Sequence, residues 1–206
     1  MGYYIVDTNY KLLTSEAEGT LYNCITNTKE TPFISCKTVT TYGYYKNADT
    51  SKASVIPYIK VYQDLSTGTA VKKIEAIGVQ TSVTCAESKI GQLSNGGLCL
   101  DGTNKADFQT TGEKSYFVSY HEESIFLPEV TEIGKFGIVK ITTNSMTIDT
   151  TVETAVCRDN SNLEKKDLVS DACTTTQKKY VHCTSGICYN DCNASTGDDC
   201  KWWFYI

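Results

Sequence analysis

The chain has 206 residues with 19 basic and 24 acidic side chains, a formal net charge of −5 and an isoelectric point near 5.1. It carries no basic stripe, so nucleic acid is not an expected partner. No apolar run reaches the ~18 residues that a membrane-spanning helix requires, so no membrane span is expected in this segment. Only two histidines are present, which limits acid–base catalysis by imidazole.

Strand patterns dominate the chain. Residues 55–62 carry apolar or aromatic side chains at both alternating sets of positions, and residues 146–156 alternate apolar with polar, the pattern of a half-buried strand. Residues 162–169 are faintly helical. Further strand candidates are residues 70–79, 115–120 and 136–142. The sequence predicts an all-β fold of mainly antiparallel strands in a disulfide-stapled, sandwich-like module, with a solenoid-like stack of short β repeats as the alternative.

Two short motifs recur in the first third of the chain. Gly2-Tyr3-Tyr4 returns as Gly43-Tyr44-Tyr45, and residues 32–36 return as residues 57–61, with Val61 in the position of Cys36. Ser115-Tyr116-Phe117-Val118 is a degenerate third copy of the aromatic motif. The two motifs recur at different spacings, so there is no clean solenoid period, but their recurrence suggests a decayed repeat of a glycine turn, an aromatic strand and a short strand ending in cysteine.

Cysteine is unusually abundant for a chain of this length. Ten cysteines form an even set, and a reducing compartment would leave them all as free thiols, so up to five disulfides in an oxidising compartment are expected. The nearest-neighbour bridges Cys24–Cys36 and Cys85–Cys99 are our expectation, and the remaining pairings stay open. The other cysteines are Cys157, Cys173, Cys183, Cys188, Cys192 and Cys200.

The C-terminal part differs in composition from the rest. Six of the ten cysteines fall between residues 157 and 200, and disulfides would hold a segment that can bury little of itself. We therefore expect a β module over residues 1–156 and a cysteine-dense part over 157–206 packed on it. Because Met1 runs directly into the Gly-Tyr-Tyr motif, with no signal peptide, we interpret the chain as a module of a longer secreted protein.

Metal-binding and catalytic patterns are weak. The cysteine spacing near His182 does not match the paired knuckles of structural zinc sites, and residues 191–199 do not fit a calcium loop. His121-Glu122-Glu123 lacks the second histidine of a zinc protease motif. Asp149 and Glu153 lie on the polar face of a predicted strand, which does not suggest the facing carboxylates of a glycosidase. We expect no catalytic site, no metal and no cofactor.

Aromatic residues form the candidate binding region, because flat rings stack on sugars and anchor protein interfaces. The alternative is that half of each alternating set faces the core. Asn193-Ala194-Ser195 is an N-glycosylation acceptor triplet, which fits a surface loop. The candidate contact residues are Tyr42, Tyr44, Tyr45, Tyr58, Tyr62, Trp202 and Trp203.

The paired Gly-Tyr-Tyr copies, followed by short strands ending in Pro-Phe/Tyr-Ile-x-Cys or its valine variant, resemble the large, repetitive, cysteine-rich extracellular scaffoldins of anaerobic gut fungi. The resemblance is clearest over residues 2–62. It implies a non-catalytic, cohesin-like unit of a fungal cellulosome, secreted or held at the cell surface through its parent protein. Its partners would be the dockerins of plant-cell-wall-degrading enzymes. A carbohydrate-binding module for plant polysaccharide, a structural or adhesion spacer, and a hydrolase are the alternatives.

Overall fold

A computed structural model describes residues 1–6, 20–27, 30–64, 68–69, 71–79, 84–119, 136–149, 155–170, 172–183 and 186–189. These residues form antiparallel strands joined by turns, with one 3-10 turn at Glu87–Lys89 and no α-helix among them, which confirms the all-β prediction. Within that part of the chain, no helix is long and apolar enough to cross a membrane. The chain divides into two compact units, Met1–Thr81 and Ser82–Ile206.

The first unit contains two antiparallel meanders of three strands each, in the order β1-β2-β3 and β4-β5-β6. In the first meander, Gly2 lies opposite Cys24, and in the second, Gly43 lies opposite Val61. Each Gly-Tyr-Tyr motif therefore opens the first strand of its meander. The strands are β1 (Gly2–Val6), β2 (Thr20–Asn27), β3 (Glu30–Thr38), β4 (Gly43–Lys46), β5 (Tyr58–Asp64) and β6 (Val71–Ile77).

The strand register corrects the second repeated motif. Residues 32–36 lie in β3, the third strand of the first meander. Of residues 57–61, all but Pro57 lie in β5, the second strand of the second meander. Val61 therefore occupies the place of Cys24 and not that of Cys36, whose counterpart is Ile74, because Cys24 pairs with Cys36 and Val61 with Ile74. A short apolar motif can be aligned by its sequence with more than one strand of a meander. Only the pairing of the backbones shows which strand is its counterpart.

An engineered disulfide tests this equivalence. The Val61→Cys/Ile74→Cys double variant is expected to form a cross-strand bridge, because the corresponding Cys24–Cys36 bridge joins directly opposed residues with a Cα–Cα distance of 4.2 Å. Thiol titration and non-reducing peptide mapping would detect it. As a control, the diagonal pair Val61→Cys/Ala76→Cys lies on the same face about 7–8 Å apart and should stay reduced. Two free thiols at positions 61 and 74 would contradict the equivalence.

The two motif glycines are needed for different reasons. A Cβ added at Gly2 would lie 2.5 Å from the Cβ of Ala48, because β1 runs close beside the segment after β4. There the Ala48 amide donates to the Tyr3 carbonyl at 2.9 Å. Gly43 has a φ of +154°, which a residue with a Cβ rarely adopts. The recurring glycine therefore reflects close backbone approach in one copy and backbone conformation in the other.

The core of the first unit is mixed aliphatic and aromatic. Leu21, Tyr45, Ile59 and Val61 are buried together, and the Tyr3 and Tyr45 rings meet with their centroids 4.6 Å apart. Ile59 and Val61 point to one face of β5 because side chains alternate along a strand. Burial of such a cluster is the main stabilising term for a unit of this size. The partly buried residues packed on it are Tyr3, Ile5, Val39, Tyr42 and Ile74.

The second unit has three antiparallel strand groups, in the orders β7-β8-β9, β10-β11-β12 and β14-β13-β15-β16. A bridge between Tyr116 and Glu164 joins the second group to the third. The strands are β7 (Leu93–Ser94), β8 (Gly97–Cys99), β9 (Lys105–Asp107), β10 (Lys114–Ser119), β11 (Phe136–Ile141), β12 (Ser145–Ile148), β13 (Ala155–Asp159), β14 (Lys165–Lys166), β15 (Gln177–Cys183) and β16 (Gly186–Tyr189).

One expectation for the C-terminal half needs correction, and the expected boundary after residue 156 stays a prediction, although residues 156 and 157 both lie in β13. The helical pattern of residues 162–169 does not form a helix, since Leu163 has a φ of +62° and β14 follows. The Asn162 side chain accepts a hydrogen bond from the Glu164 amide at 2.9 Å, and such local bonding favours a turn over a helix.

Three disulfides occur among the described residues. Cys24–Cys36 and Cys85–Cys99 are the two nearest-neighbour bridges expected from the sequence, and Cys157–Cys173 is the third. Each closes a short loop, which restricts the unfolded chain and so stabilises the fold. Cys192 and Cys200 lie outside the described residues. Cys183 and Cys188 lie on β15 and β16, and the pairing of these last four cysteines stays a prediction.

Candidate binding face

Side chains along β5 point alternately to the core and to the outer face of the strand. Ile59 and Val61 are fully buried, whereas Tyr58, Lys60 and Tyr62 are half-buried on the opposite face. Positions i, i+2 and i+4 of a strand share one face and span about 13 Å. The strand therefore presents a row of two phenol rings with an ammonium group between them.

Neighbouring strands widen this row into a surface. Lys60 lies opposite Tyr44 on β4 and opposite Glu75 on β6, and Tyr62 lies opposite Lys73. Directly opposed residues of an antiparallel pair are close enough for their side chains to contact. We call this surface the tyrosine–lysine face, and it comprises Tyr58, Lys60, Tyr62, Lys73 and Glu75, with the buried Tyr44 beside Lys60.

Lys60 is the central cation of the face. Its Nζ lies 4.9 Å from the centroid of the Tyr62 ring and 6.0 Å from that of the Tyr44 ring, within the range of cation–π attraction. Burial lowers the pKa of Lys60, and the charge of Glu75 partly opposes that shift. The ammonium is therefore attracted by the two rings and by the charge of Glu75 on the neighbouring strand.

A second pair of charges lies at the rim of the face. Lys73 forms an ion pair with Asp64, and the hydrogen bond to that carboxylate raises the pKa of Lys73. Both Lys73 and Glu75 are exposed. The rim therefore carries charges of both signs beside partly apolar rings, which matches the polar, solvent-accessible rim of protein–protein interfaces.

The structure divides the predicted tyrosine patch between the core and this face. Tyr45 is a core residue whose hydroxyl donates to the Thr41 carbonyl at 2.7 Å, and its burial raises the pKa of Tyr45. Tyr42 packs against the same core. Tyr44 is only 2% exposed, so although its ring lies beside Lys60 on the neighbouring strand, it cannot itself contact a partner. Burial, together with Glu75, also raises the pKa of Tyr44.

Of the predicted tyrosines, Tyr58 and Tyr62 are the ones that lie half-buried on the outward face, and their role as contact residues stays a prediction. Trp202, Trp203 and Asn193 lie outside the described residues, so their roles stay predictions. Lys60 was missed at the level of sequence, although the spacing Tyr-x-Lys-x-Tyr on one strand could have revealed it. Glu75 could not have been found, because its place beside Lys60 depends on how β6 pairs with β5.

Asp149, one of the two carboxylates considered for hydrolysis, is placed differently from the expectation. Asp149, predicted on a polar strand face, is 4% exposed and follows the end of β12, where its backbone amide donates to the Ile138 carbonyl at 2.8 Å. The Ser115 hydroxyl donates to its side chain at 2.7 Å. Glu153 lies outside the described residues. Within the described part of the chain, no group of three or more His, Cys, Asp or Glu side chains could hold a metal ion.

The candidate site rests on the geometry of this chain. No protein-family model, no curated protein and no solved structure matches this chain.

Proposed function

We propose that this chain is a non-catalytic, extracellular protein-binding module that engages its partner through the tyrosine–lysine face. The observation that carries the proposal is the outward row Tyr58, Lys60 and Tyr62 on β5, flanked by Lys73 and Glu75. Tyrosine is enriched at interfaces because its ring buries a large apolar area while its hydroxyl still finds a hydrogen-bond partner.

The position of Lys60 favours a protein partner over a sugar. A sugar ring stacks on an open aromatic face, whereas here the Lys60 ammonium lies 4.9 Å from the centroid of the Tyr62 ring. A protein partner can bind this arrangement by placing a carboxylate near Lys60 and apolar side chains against the ring edges. Charges of both signs at the rim would then set the orientation of the partner.

The resemblance to fungal scaffoldins supplies the partner class. In that interpretation the partners are the small cysteine-rich dockerins of secreted plant-cell-wall-degrading enzymes, and the module gathers those enzymes on one scaffold. The three disulfides support an oxidising, extracellular setting, because bridges of this kind rarely persist in a reducing cytosol. The Gly-Tyr-Tyr motifs support the proposal by opening corresponding strands of two successive meanders.

Calorimetric titration with purified fungal dockerins tests the proposal. Tyr62→Ala is expected to weaken binding at least tenfold, because loss of a central aromatic contact costs about 2 kcal/mol or more. Lys60→Glu is expected to weaken it similarly by reversing the central charge. Lys37→Ala, at an exposed lysine on β3 that is not a member of the face, is the matched control and should bind as the unaltered chain does. Thermal melts would establish that each variant is folded.

Two results would count against this proposal. Absence of heat with every dockerin at high micromolar concentration would refute the partner class. Unchanged affinity of the Tyr62 and Lys60 variants would refute the face as the contact surface, even if a dockerin binds. Retarded migration on soluble glucans, xylans or mannans in affinity electrophoresis, lost in Tyr58→Ala, would instead support the carbohydrate-binding alternative.

A further inference from the structure

The strand β6 lies at the end of its meander. All seven of its residues pair with β5 on one side, and no other described strand pairs with its opposite side. Val71, Lys72, Lys73 and Glu75 are exposed, so water reaches this edge along most of its length. A strand edge of this kind presents backbone N–H and C=O groups to which a further strand can bond.

Side chains of β6 alternate between the two faces of its sheet. Lys73 lies opposite Tyr62 and therefore shares the outer face with the tyrosine–lysine row, whereas Ile74 packs against the core. On the outer face, a charge of opposite sign stands on each side of the Ile74 position, and an apolar residue stands at each end. The outer face carries Val71, Lys73, Glu75 and Ile77, and the core face carries Lys72, Ile74 and Ala76.

This arrangement makes β6 complementary to a second copy of itself. In an antiparallel pair centred on Ile74, that residue lies opposite its own copy, and Lys73 lies opposite the Glu75 of the other chain. Val71 then lies opposite Ile77, so apolar side chains also meet. Directly opposed side chains of an antiparallel pair contact each other, and opposite charges there are favourable. A two-fold axis repeats every contact, as in an isologous dimer.

Other registers oppose like charges or mix the two faces. A pair centred on Lys73 or on Glu75 opposes two lysines or two glutamates, which is destabilising. A pair centred between two residues turns the core face of one chain to the outer face of the other. The remaining charge, Lys72, lies opposite Ala76 in the pair centred on Ile74, and its ammonium already donates to a backbone carbonyl of its own chain at 3.1 Å. Of the registers that pair most of the strand, the charges therefore favour this one.

We propose that two copies of this chain associate through the edge of β6, in an antiparallel pair centred on Ile74. A second copy suits this edge better than an unrelated strand, because lysines on an edge normally prevent pairing, whereas here each Lys73 meets a glutamate. Seven residues on each side are fewer than the roughly 20–30 of a standard interface. The association is therefore expected to be weak and dependent on concentration.

The pair would join two copies of the meander β4-β5-β6 into one sheet. Because its two-fold axis stands perpendicular to that sheet, both tyrosine–lysine faces lie on the same side, with the two β5 strands about 14 Å apart. A partner with two binding segments would then gain avidity without any new contact. The association itself does not depend on which partner binds the face.

Sedimentation equilibrium of the oxidised chain, from micromolar to submillimolar concentration, is the direct test. The unaltered chain is expected to show a reversible equilibrium between monomer and dimer. Lys73→Glu and Glu75→Lys should each remain monomeric over this range, because the pair then opposes two acids or two lysines. An equimolar mixture of these two variants should recover the dimer, since every acid then meets a lysine. The Lys73→Glu/Glu75→Lys double variant should recover it for the same reason.

Glu87→Lys is the matched control, because it makes the same charge reversal at an exposed residue of the 3-10 turn and should dimerise as the unaltered chain does. Thermal melts would establish that each variant is folded. A cysteine gives a second measurement that does not depend on charge. Ile74→Cys should form a disulfide between two chains under mild oxidation, because it lies opposite its own copy. Lys72→Cys, on the same face, lies opposite Ala76 and should not.

A monomer at every concentration would overturn the proposal. A dimer that both single variants retain, or that their mixture does not recover, would overturn it as well, because another surface would then hold the chains together. Hydrogen exchange that slows along β6 only when a dockerin is added would assign the edge to that partner and not to a second copy. The calorimetric titrations alter Tyr62 and Lys60 and leave β6 unchanged, so failure of either proposal would be seen separately.

Discussion

Replacing Phe117 with alanine is expected to lower the free energy of unfolding by about 3–5 kcal/mol, the usual cost of emptying a fully buried phenylalanine site. Phe117 has no exposed surface, and its ring lies 5.1 Å from that of Tyr180. The Arg158 guanidinium lies over both rings, 5.7 Å from the Phe117 centroid and 5.2 Å from that of Tyr180. The substitution therefore removes apolar contacts and half of the aromatic support for a partly buried cation.

Urea denaturation followed by circular dichroism would measure this loss. Phe108→Ala is the matched control, because it makes the same chemical change at a half-buried residue between β9 and β10 and should cost clearly less. Equal losses for the two variants would contradict the position of Phe117 in the core of the second unit.

Removing the Cys157–Cys173 bridge is expected to cost about 2–4 kcal/mol, since a closed loop of about 15 residues is worth roughly 3 kcal/mol in the unfolded-chain entropy model. The two cysteines are 16 residues apart. The bridge ties β13 to the segment before β15, and Cys157 is fully buried. The Cys157→Ala/Cys173→Ala double variant makes the change without burying a new polar atom.

Thermal and denaturant unfolding of this double variant, compared with Cys24→Ala/Cys36→Ala, would give the measurement. The second bridge closes a similar loop, so a similar loss is expected there. A cost below about 0.5 kcal/mol for the Cys157–Cys173 variant would show that the bridge does not restrict the unfolded chain.

Much of the candidate site was within reach of sequence reasoning. Tyr58 and Tyr62 were predicted as contact residues, and a period of two along residues 58–62 places both on one face with Lys60. The same reasoning could not show that Tyr44 and Tyr45 are buried, unlike Tyr58 and Tyr62. Adjacent residues of a strand point to opposite faces, and here both faces of β4 are covered, so both rings are buried. Burial on both faces depends on the layers above and below the strand.

Local sequence patterns were enough to predict the all-β class, through alternating apolar positions and glycine turns, and two of the disulfides, because cysteines close in sequence meet readily when only a short loop must close. These features depend on neighbouring residues, whose geometry a strand or turn dictates directly. The long-range pairings could be read only from the folded chain: Val61 corresponds to Cys24, Glu75 lies beside Lys60, and Asp149 is buried against Lys165. Strand register and layer packing join residues far apart in the chain, and a shift of one residue would move every such side chain to the other face.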